Sequence, residues 1–338
     1  MFNKNSVVCC LGASTTEHGF WIYDLNAYFS QERPNDNVVF YNCGAGGNTA
    51  RVVPTLLESD VMWIDPDYVI ICYGGNDIGL FLYDSNLEVT NEVLEQRKKR
   101  IVEYEENMRL AAKLILKRGK IPILVAAPTY DDAQEGQPNR KGVAEALVEL
   151  SYIVQKIADE IGCPMINFCK ASDDAKKTFA KNGERVYADD RVHLNRVGQG
   201  LMAFTVLKDM GYEVELPKSI EEWEKMRPYE TKANNRRFCI EKKLREISYI
   251  DNSWFNPLWK NAINEEDKIE KLLTFYTNPE TPQWRKQYIL HWFQYRNKIE
   301  ELRLLLVNET NNLVGSEREA LDANVLLSGL VFHSIGKD

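Results

Sequence analysis

The 338-residue sequence has no apolar run long enough to cross a bilayer, because polar residues interrupt every stretch before about 18 apolar residues accumulate. It also lacks Cys-x-x-Cys and His-x-x-x-His pairs, so a zinc site has little support. Lysine and arginine are in deficit, 42 against 50 acidic residues, and the formal net charge is -8. A basic surface is what phosphate binding requires. We therefore predict no membrane span, no metal and no nucleic-acid partner.

No apolar leader precedes the first apolar run, since the initial MFNKNS is short and polar. The seven cysteines are an odd number, and Cys9, Cys10, Cys43 and Cys72 lie in or beside apolar runs. Buried, reduced thiols in a chain without a leader are typical of a cytoplasmic protein. We predict that location, and a globular fold from the 44% hydrophobic and 27% charged content.

Five short apolar runs rich in valine and isoleucine alternate with longer segments in which apolar residues recur at helical spacing. The runs lie at 7–11, 38–43, 68–74, 121–127 and 164–168. The helical segments lie at 49–59, 94–119, 142–162 and 195–211. Strands that are apolar throughout, separated by amphipathic helices, predict an α/β protein whose parallel five-stranded sheet is covered on both faces. Ligands of such sheets lie outside the carboxyl ends of the strands.

Polar and glycine-rich segments follow the predicted strands. GAS (12–14) follows the first strand, NCGAGGNT (42–49) the second and GGND (74–77) the third, while DDRVHLN (189–195) precedes the last helix of the alternation. Each segment alone has an ordinary interpretation as a helix cap, a turn or a surface ion pair. Together they place a hydroxyl, a glycine-rich loop, an amide and an Asp-x-x-His at one edge of the sheet.

The glycine-rich segment could instead cradle the phosphates of a dinucleotide. Thr49, however, stands where G-x-G-x-x-G has its last glycine, and the loop follows the second strand rather than the first. We therefore predict that the protein uses no cofactor.

Hydrolysis of an ester would use these segments together. A serine such as Ser14 becomes a nucleophile when a base removes its proton, and a neutral imidazole such as His193 suits that task near neutral pH. Asp190, three residues earlier, can hold the other ring nitrogen. The backbone N–H groups of Ser14 and Gly47 and the side-chain amide of Asn76 can donate to the oxyanion of the tetrahedral intermediate.

The order of these blocks resembles that of the SGNH, or GDSL-like, hydrolases. The blocks read GAS (12–14), NCGAGGNT (42–49), GGND (74–77) and DRVH (190–193), and HLNRVGQG after them is similar to the family's continuation into its last helix. The resemblance covers roughly residues 5–212.

The resemblance implies a flavodoxin-like three-layer sandwich and a metal-independent esterase, lipase-like or carbohydrate-deacetylase activity. It implies Ser14 as nucleophile, His193 as base, Asp190 as the partner of His193, and Gly47 and Asn76 as oxyanion donors. Where the family has aspartate between the glycine and serine of the first block, this chain has an alanine, which affects the support of the site rather than a catalytic group.

The last third of the sequence differs from the rest, and we predict a hydrolase domain at 1–214 and a helical, aromatic-rich module at 215–338. Aromatic and apolar residues spaced by three or four predict one long helix at 281–310. Its apolar face can form a core, a homo-oligomer contact or a lid over the active site. The basic stretch 236–245 has interleaved glutamates and predicts a solvated helix face, whereas the apolar 325–332 is too short to span a bilayer.

Four functions remain open from the sequence. The leading one is a serine esterase acting on a small acyl ester, with an O-acetyl group on a carbohydrate suggested by the resemblance alone. Acyl transfer to an alcohol would use the same residues. The third is a non-catalytic binding module. The fourth is an assembly protein in which the C-terminal helical module binds the partner.

Overall fold

The computed structural model describes residues 1–132, 139–252 and 261–313. Its five strands are β1 (Val7–Gly12), β2 (Val39–Gly44), β3 (Tyr68–Tyr73), β4 (Ile121–Ala126) and β5 (Met165–Asn167). They form one parallel sheet in the order β2-β1-β3-β4-β5. The register aligns Val8 with Phe40 and Tyr68, so that β1 pairs on both sides. This confirms the predicted parallel sheet, and its order is that of flavodoxin-like folds.

Helices cover both faces of the sheet and continue beyond it. In chain order they are α1 (Ser14–His18), α2 (Phe20–Glu32), α3 (Val53–Leu56), α4 (Asn91–Lys117), α5 (Val143–Ile161), α6 (Phe168–Ala180), α7 (Arg196–Asp209), α8 (Ile220–Met226), α9 (Lys232–Asn252), α10 (Glu265–Thr277), α11 (Gln283–Tyr295) and α12 (Ile299–Asn311). Within the described parts of the chain, no helix combines the length and the apolarity that crossing a bilayer requires.

The strands are apolar throughout because each face of the sheet packs on its own layer of helices. Cys9 and Leu11 of β1 pack in the core formed with α4 and α5. Val8 and Cys10, which alternate with them, pack in the core formed with α2, α6 and α7.

The seven cysteines are unpaired and five are buried, whereas Cys163 is partly exposed and Cys239 is exposed. The cytoplasmic location stays a prediction.

Several helices differ from the sequence-based expectation. The sequence did not predict α2 or α6. Residues 49–59 form a 3₁₀ turn, the short α3 and a π-helical turn at Leu57–Val61 rather than one helix. The single helix expected at 281–310 is wrong, because a 3₁₀ turn at Arg296–Lys298 divides it into α11 and α12. Trp292 and Leu302, on either side of the break, pack among the C-terminal helices, while Leu306 joins the core beside the sheet. The segment 325–332 lies outside the described residues.

The solvated face expected at 236–245 is wrong for three of its charged residues, although Arg236 and Lys242 are exposed. Arg237, Glu241 and Arg245 follow one another at every fourth residue of α9, and their exposures are 0%, 2% and 7%. Arg237 Nη2 donates to the Phe40 carbonyl oxygen at 2.7 Å, and the Asn42 N–H donates to Glu241 Oε1 at 3.2 Å. Strand β2 is an edge of the sheet, and unpaired edges are sites of unwanted association. Charged side chains of α9 thus satisfy backbone groups of this edge.

The contact between α9 and the edge strand β2 joins the C-terminal helices to the body of the protein. A second set of contacts holds α8 against α2 and α7. Arg196 of α7 holds Asp24 of α2 through two hydrogen bonds of 2.6 and 2.7 Å, and the ring of Trp223 in α8 lies next to Arg196. Trp223 is buried in the same core as α2 and α7. A boundary between residues 214 and 215 remains a prediction.

We expect Arg237→Met to destabilise the fold by roughly 3 kcal/mol, because it leaves the buried Glu241 carboxylate without its nearest cation. Arg237 Nη2 lies 3.5 Å from Glu241 Oε1. Equilibrium unfolding in urea measures the loss. Arg236→Met is the matched control: this neighbouring side chain is 51% exposed and pairs with Glu309. The free energy of unfolding of Arg236→Met should fall by less than about 1 kcal/mol. Equal decreases for the two variants would contradict the interpretation.

Candidate active site

The candidate site lies where the strand order reverses, between the carboxyl ends of β1 and β3. Strand β1 ends at Gly12 and α1 begins at Ser14, so that Ala13 alone separates the strand from the helix. Gly12 makes this sharp turn possible, since a methyl group there would lie 2.6 Å from the carbonyl oxygen of Cys72 in β3. The N–H groups of Thr16 and Glu17 both bond to the Ala13 carbonyl oxygen, at 3.0 and 2.9 Å. These bonds anchor the first turn of α1.

Three predicted residues form a continuous hydrogen-bonded series. Ser14 Oγ lies 2.7 Å from His193 Nε2. His193 Nδ1 lies 2.6 Å from Asp190 Oδ2. The His193 side chain is 13% exposed and that of Asp190 is 41% exposed, so the imidazole is shielded between two partners. The structure therefore brings together residues that are 179 positions apart in the chain.

The turn before α7 explains how Asp190 reaches His193. Asp190 Oδ1 accepts hydrogen bonds from the backbone N–H groups of Val192, at 3.0 Å, and His193, at 2.9 Å. Arg191 adopts a φ of 66°, in the left-handed region that few non-glycine residues occupy, and the Ala188 N–H closes the turn on the His193 carbonyl oxygen at 2.8 Å. Burial by itself would raise the pKa of Asp190, but the bonds from His193 and Val192 hold it below its ordinary value.

The two loops with the expected oxyanion donors lie against each other. Asn76 Nδ2 donates to the Asn48 carbonyl oxygen at 2.9 Å, which joins the loop after β3 to the glycine-rich loop after β2. Gly47 has a φ of 71°, a conformation that glycine adopts readily. A methyl group on the preceding Gly46 would lie 3.8 Å from Ser14 Cβ, so this loop borders the serine. The donor roles of Gly47 and Asn76 stay predictions.

Comparison with known proteins decides the family. The model of the GDSL-like lipase/acylhydrolase family matches residues 10–201, more than half of the chain. The chain belongs to this family. An acetylxylan esterase from Geobacillus stearothermophilus is 27% identical over 183 residues, which are 53% of this hydrolase and 75% of that protein.

Solved structures extend the likeness of the fold. A gut microbial diltiazem-metabolizing enzyme is 15% identical and superimposes with a TM-score of 0.72 over 97% of this chain and 96% of its own, so the likeness includes the C-terminal helices. An acetylxylan esterase from Geobacillus stearothermophilus, in a form described as a catalytic mutant with serine replaced by alanine, covers 63% of this chain and 97% of its own. Its identity is 22% and its TM-score 0.50.

Sequence reasoning passed over His18 of this GDSL-like hydrolase, because no aspartate precedes it by three residues. The structure places its ring 5.1 Å from the ring of His193, centroid to centroid, with the planes at 57°. His18 follows Ser14 by four residues, and positions i and i+4 share one face of a helix. This spacing from Ser14 is the feature of the sequence from which His18 could have been identified as a neighbour of the site. Across the described ranges, no group of three or more His, Cys, Asp or Glu side chains is arranged to hold a metal ion.

Asp77 is a second residue whose importance only the structure shows. Its Oδ1 accepts a hydrogen bond from the Ala50 N–H at 2.9 Å and so ties the loop after β3 to the segment after β2. The side chain is buried, and burial raises its pKa to about 7, although the Ala50 and Gly74 N–H groups oppose the shift. The folded protein therefore keeps a proton on Asp77 at pH values where the unfolded chain has already lost it.

We expect Asp77 to make the protein less stable as the pH rises from about 4 to about 7, because only the unfolded chain ionises freely in that range. Asp77→Asn keeps an oxygen for the Ala50 N–H and removes the titration. Its free energy of unfolding relative to wild type should therefore grow with pH, by up to about 4 kcal/mol. Urea unfolding at pH 4 to 8 measures this difference. Asp65→Asn, on an exposed side chain, is the control, and a flat difference for Asp77→Asn would refute the assignment.

Proposed function

We propose that this protein is a serine hydrolase that removes a small acyl group, an O-acetyl group on a carbohydrate, through an acyl-enzyme on Ser14. The observation that carries the proposal is the series from Ser14 Oγ to His193 Nε2 at 2.7 Å and from His193 Nδ1 to Asp190 Oδ2 at 2.6 Å. Membership of an acylhydrolase family agrees with hydrolysis of an ester.

In the first half of the reaction, His193 Nε2 takes the proton of Ser14 as Oγ attacks the acyl carbon. Asp190 holds the Nδ1–H and stabilises the imidazolium that forms. The N–H groups of Ser14 and Gly47 and the amide of Asn76 donate to the oxyanion of the tetrahedral intermediate. Collapse of this intermediate breaks the bond to the alcohol, which leaves with the proton from His193.

In the second half, His193 takes a proton from water, which attacks the acyl carbon bound to Ser14. The second tetrahedral intermediate breaks its bond to Oγ, Ser14 regains the proton from His193, and the acid is released. This scheme assigns no step to a metal or an organic cofactor. An alcohol in place of water would give acyl transfer with the same residues.

The substrate class rests on the relatives. The 27% identical protein is named an acetylxylan esterase, and two structures of an esterase with that name are described as catalytic mutants, one at a serine and one at an aspartate. Those roles agree with the ones proposed for Ser14 and Asp190. An acetylated xylooligosaccharide is therefore the first natural type of substrate to test.

We expect Ser14→Ala and His193→Ala each to lower kcat/KM for p-nitrophenyl acetate by roughly 10³-fold or more, since either change removes the nucleophile or its base. Release of p-nitrophenol measures this, and release of acetate from acetylated xylooligosaccharides extends it to sugars. Ser30→Ala, which removes a hydroxyl from α2, should retain wild-type rates. A wild-type rate no higher than that of Ser14→Ala on all these esters would sink the proposal.

We expect Asn76→Ala to lower kcat by roughly 10²- to 10³-fold and to change KM little, because an oxyanion donor acts mainly in the transition state. Steady-state kinetics on p-nitrophenyl acetate separate the two constants. Asn86→Ala, in an exposed loop, is the matched control and should be neutral. A rise in KM with an unchanged kcat would assign Asn76 to substrate binding instead.

A further inference from the structure

His18 lies on the short helix α1 with Ser14 and packs against the imidazole of His193. The two rings are 5.1 Å apart, centroid to centroid, and their planes are inclined at 57°. Packed aromatic rings lie about 4.5–7 Å apart, so this is a direct contact. His193 therefore has a packing partner on α1 in addition to its hydrogen-bond partners Ser14 and Asp190.

The backbone of α1 rests directly on the end of strand β2. A methyl group on Gly44 would lie 2.3 Å from the backbone nitrogen of Glu17 and 2.6 Å from the carbonyl carbon of Thr16. Thr16 itself is completely buried. Because glycine lets the strand and the helix approach this closely, α1 has little freedom to move relative to the sheet.

Hydrogen bonds from two other elements hold the last residues of α1. The carbonyl groups at the end of a helix have no partner within the helix. Asn42 Nδ2 donates to the Glu17 carbonyl oxygen at 3.2 Å, and Trp21 Nε1 donates to the Thr15 carbonyl oxygen at 3.2 Å. Gly19 ends the helix with a φ of 69°, and a methyl group there would lie 2.2 Å from Asn42 Nδ2. A firmly held backbone thus presents His18 to the catalytic base.

The hydrogen bonds of His193 by themselves do not fix its ring through the whole reaction. Rotation of a histidine ring about its Cβ–Cγ bond has a broad energy profile. In the free enzyme, Ser14 Oγ and Asp190 Oδ2 hold the two ring nitrogens. In the acyl-enzyme, Ser14 Oγ carries the acyl group and has no proton to share with Nε2, so that of these two partners only Asp190 remains. A misplacement of about 1 Å can cost as much as 10²-fold in rate.

We propose that His18 is a positioning residue for His193: its ring packs against the imidazole and keeps Nε2 directed at Ser14 Oγ and, in the acyl-enzyme, at the attacking water. The role rests on the function proposed above. Ser14 and His18 lie one turn apart on α1, so that a single helix supplies the nucleophile and the support of its base. Since the contact is one between rings, an aromatic ring without titratable nitrogens should serve as well.

The test compares His18→Ala, His18→Phe and His18→Gln in the full-length protein. The amount of reactive Ser14 is counted by mass spectrometry after complete reaction with a fluorophosphonate. We expect kcat for p-nitrophenyl acetate, per reactive Ser14, to fall by roughly 10-fold in His18→Ala, with KM changed less than about threefold. His18→Phe restores a ring and should keep kcat within about threefold of wild type. His18→Gln restores polar atoms without a ring and should be nearly as slow as His18→Ala.

An alternative role for a second imidazole is through its charge. A positive charge on His18 would oppose protonation of His193, so its removal would move the acid limb of the pH profile of kcat/KM to higher pH and leave the plateau value of kcat unchanged. The variants are therefore compared on the plateau. Tyr152→Ala is the matched control, because it removes a ring that is 72% exposed on α5, and it should keep the wild-type kcat.

Two results would overturn the inference. One is a wild-type plateau kcat in His18→Ala, and the other is a His18→Phe variant no faster than His18→Gln, which would assign His18 a polar role toward the substrate. If His18→Ala does not fold, the comparison of His18→Phe with His18→Gln decides. A wild-type protein no more active than Ser14→Ala would instead overturn the proposed function.

Discussion

All five strands of this hydrolase point in one direction, and the site depends on that constraint. A parallel sheet brings the carboxyl ends of its strands to one edge, so that the residues after β1, β2 and β3 meet although the chain separates them. Because the order reverses between β1 and β3, their loops diverge and leave room for a substrate. His193 reaches Ser14 from a turn that is not part of any strand, which completes the hydrogen-bonded series.

Arg237, Glu241 and Arg245 form a stripe of buried charges on α9. Burying charges is costly, so this stripe indicates what the C-terminal helices do for the fold. Desolvating Arg237 and Glu241 is repaid only where both find good partners. Arg237 Nη2 bonds to the Phe40 carbonyl oxygen and Glu241 Oε1 accepts from the Asn42 N–H of the edge strand, whereas Arg237 Nε and Nη1 are buried without a hydrogen-bond partner among the described residues. Asn26 of α2 also bonds to both backbone groups of Phe40, so α9 adds a second donor to that carbonyl oxygen and the acceptor for the Asn42 N–H. The same stripe ends at Arg245, and so one helix covers the edge of the sheet with three buried charges.

Much of the strand-containing part was predictable, because its signals are local. The runs at 7–11 and 68–74 agree with β1 and β3 to within one residue, since only continuous apolar strands suit a sheet buried on both faces. The contacts of Ser14, Asp190 and His193 were predictable from motif order and spacing. The expected helix at 281–310 was not broken in the prediction, because no proline or glycine marks the turn at Arg296–Lys298.

Periodicity and short-range motifs in the sequence encode the class of sheet, the order of the loops and the identity of the residues at the strand ends. That α9 turns Arg237, Glu241 and Arg245 inward follows only from folding, because the edge of β2 lies far away in the chain. The position of His18 beside His193 likewise results from folding, because the two residues are far apart in the sequence. Charged residues look alike in a sequence whether they meet water or a partner, and the partner exists only after folding.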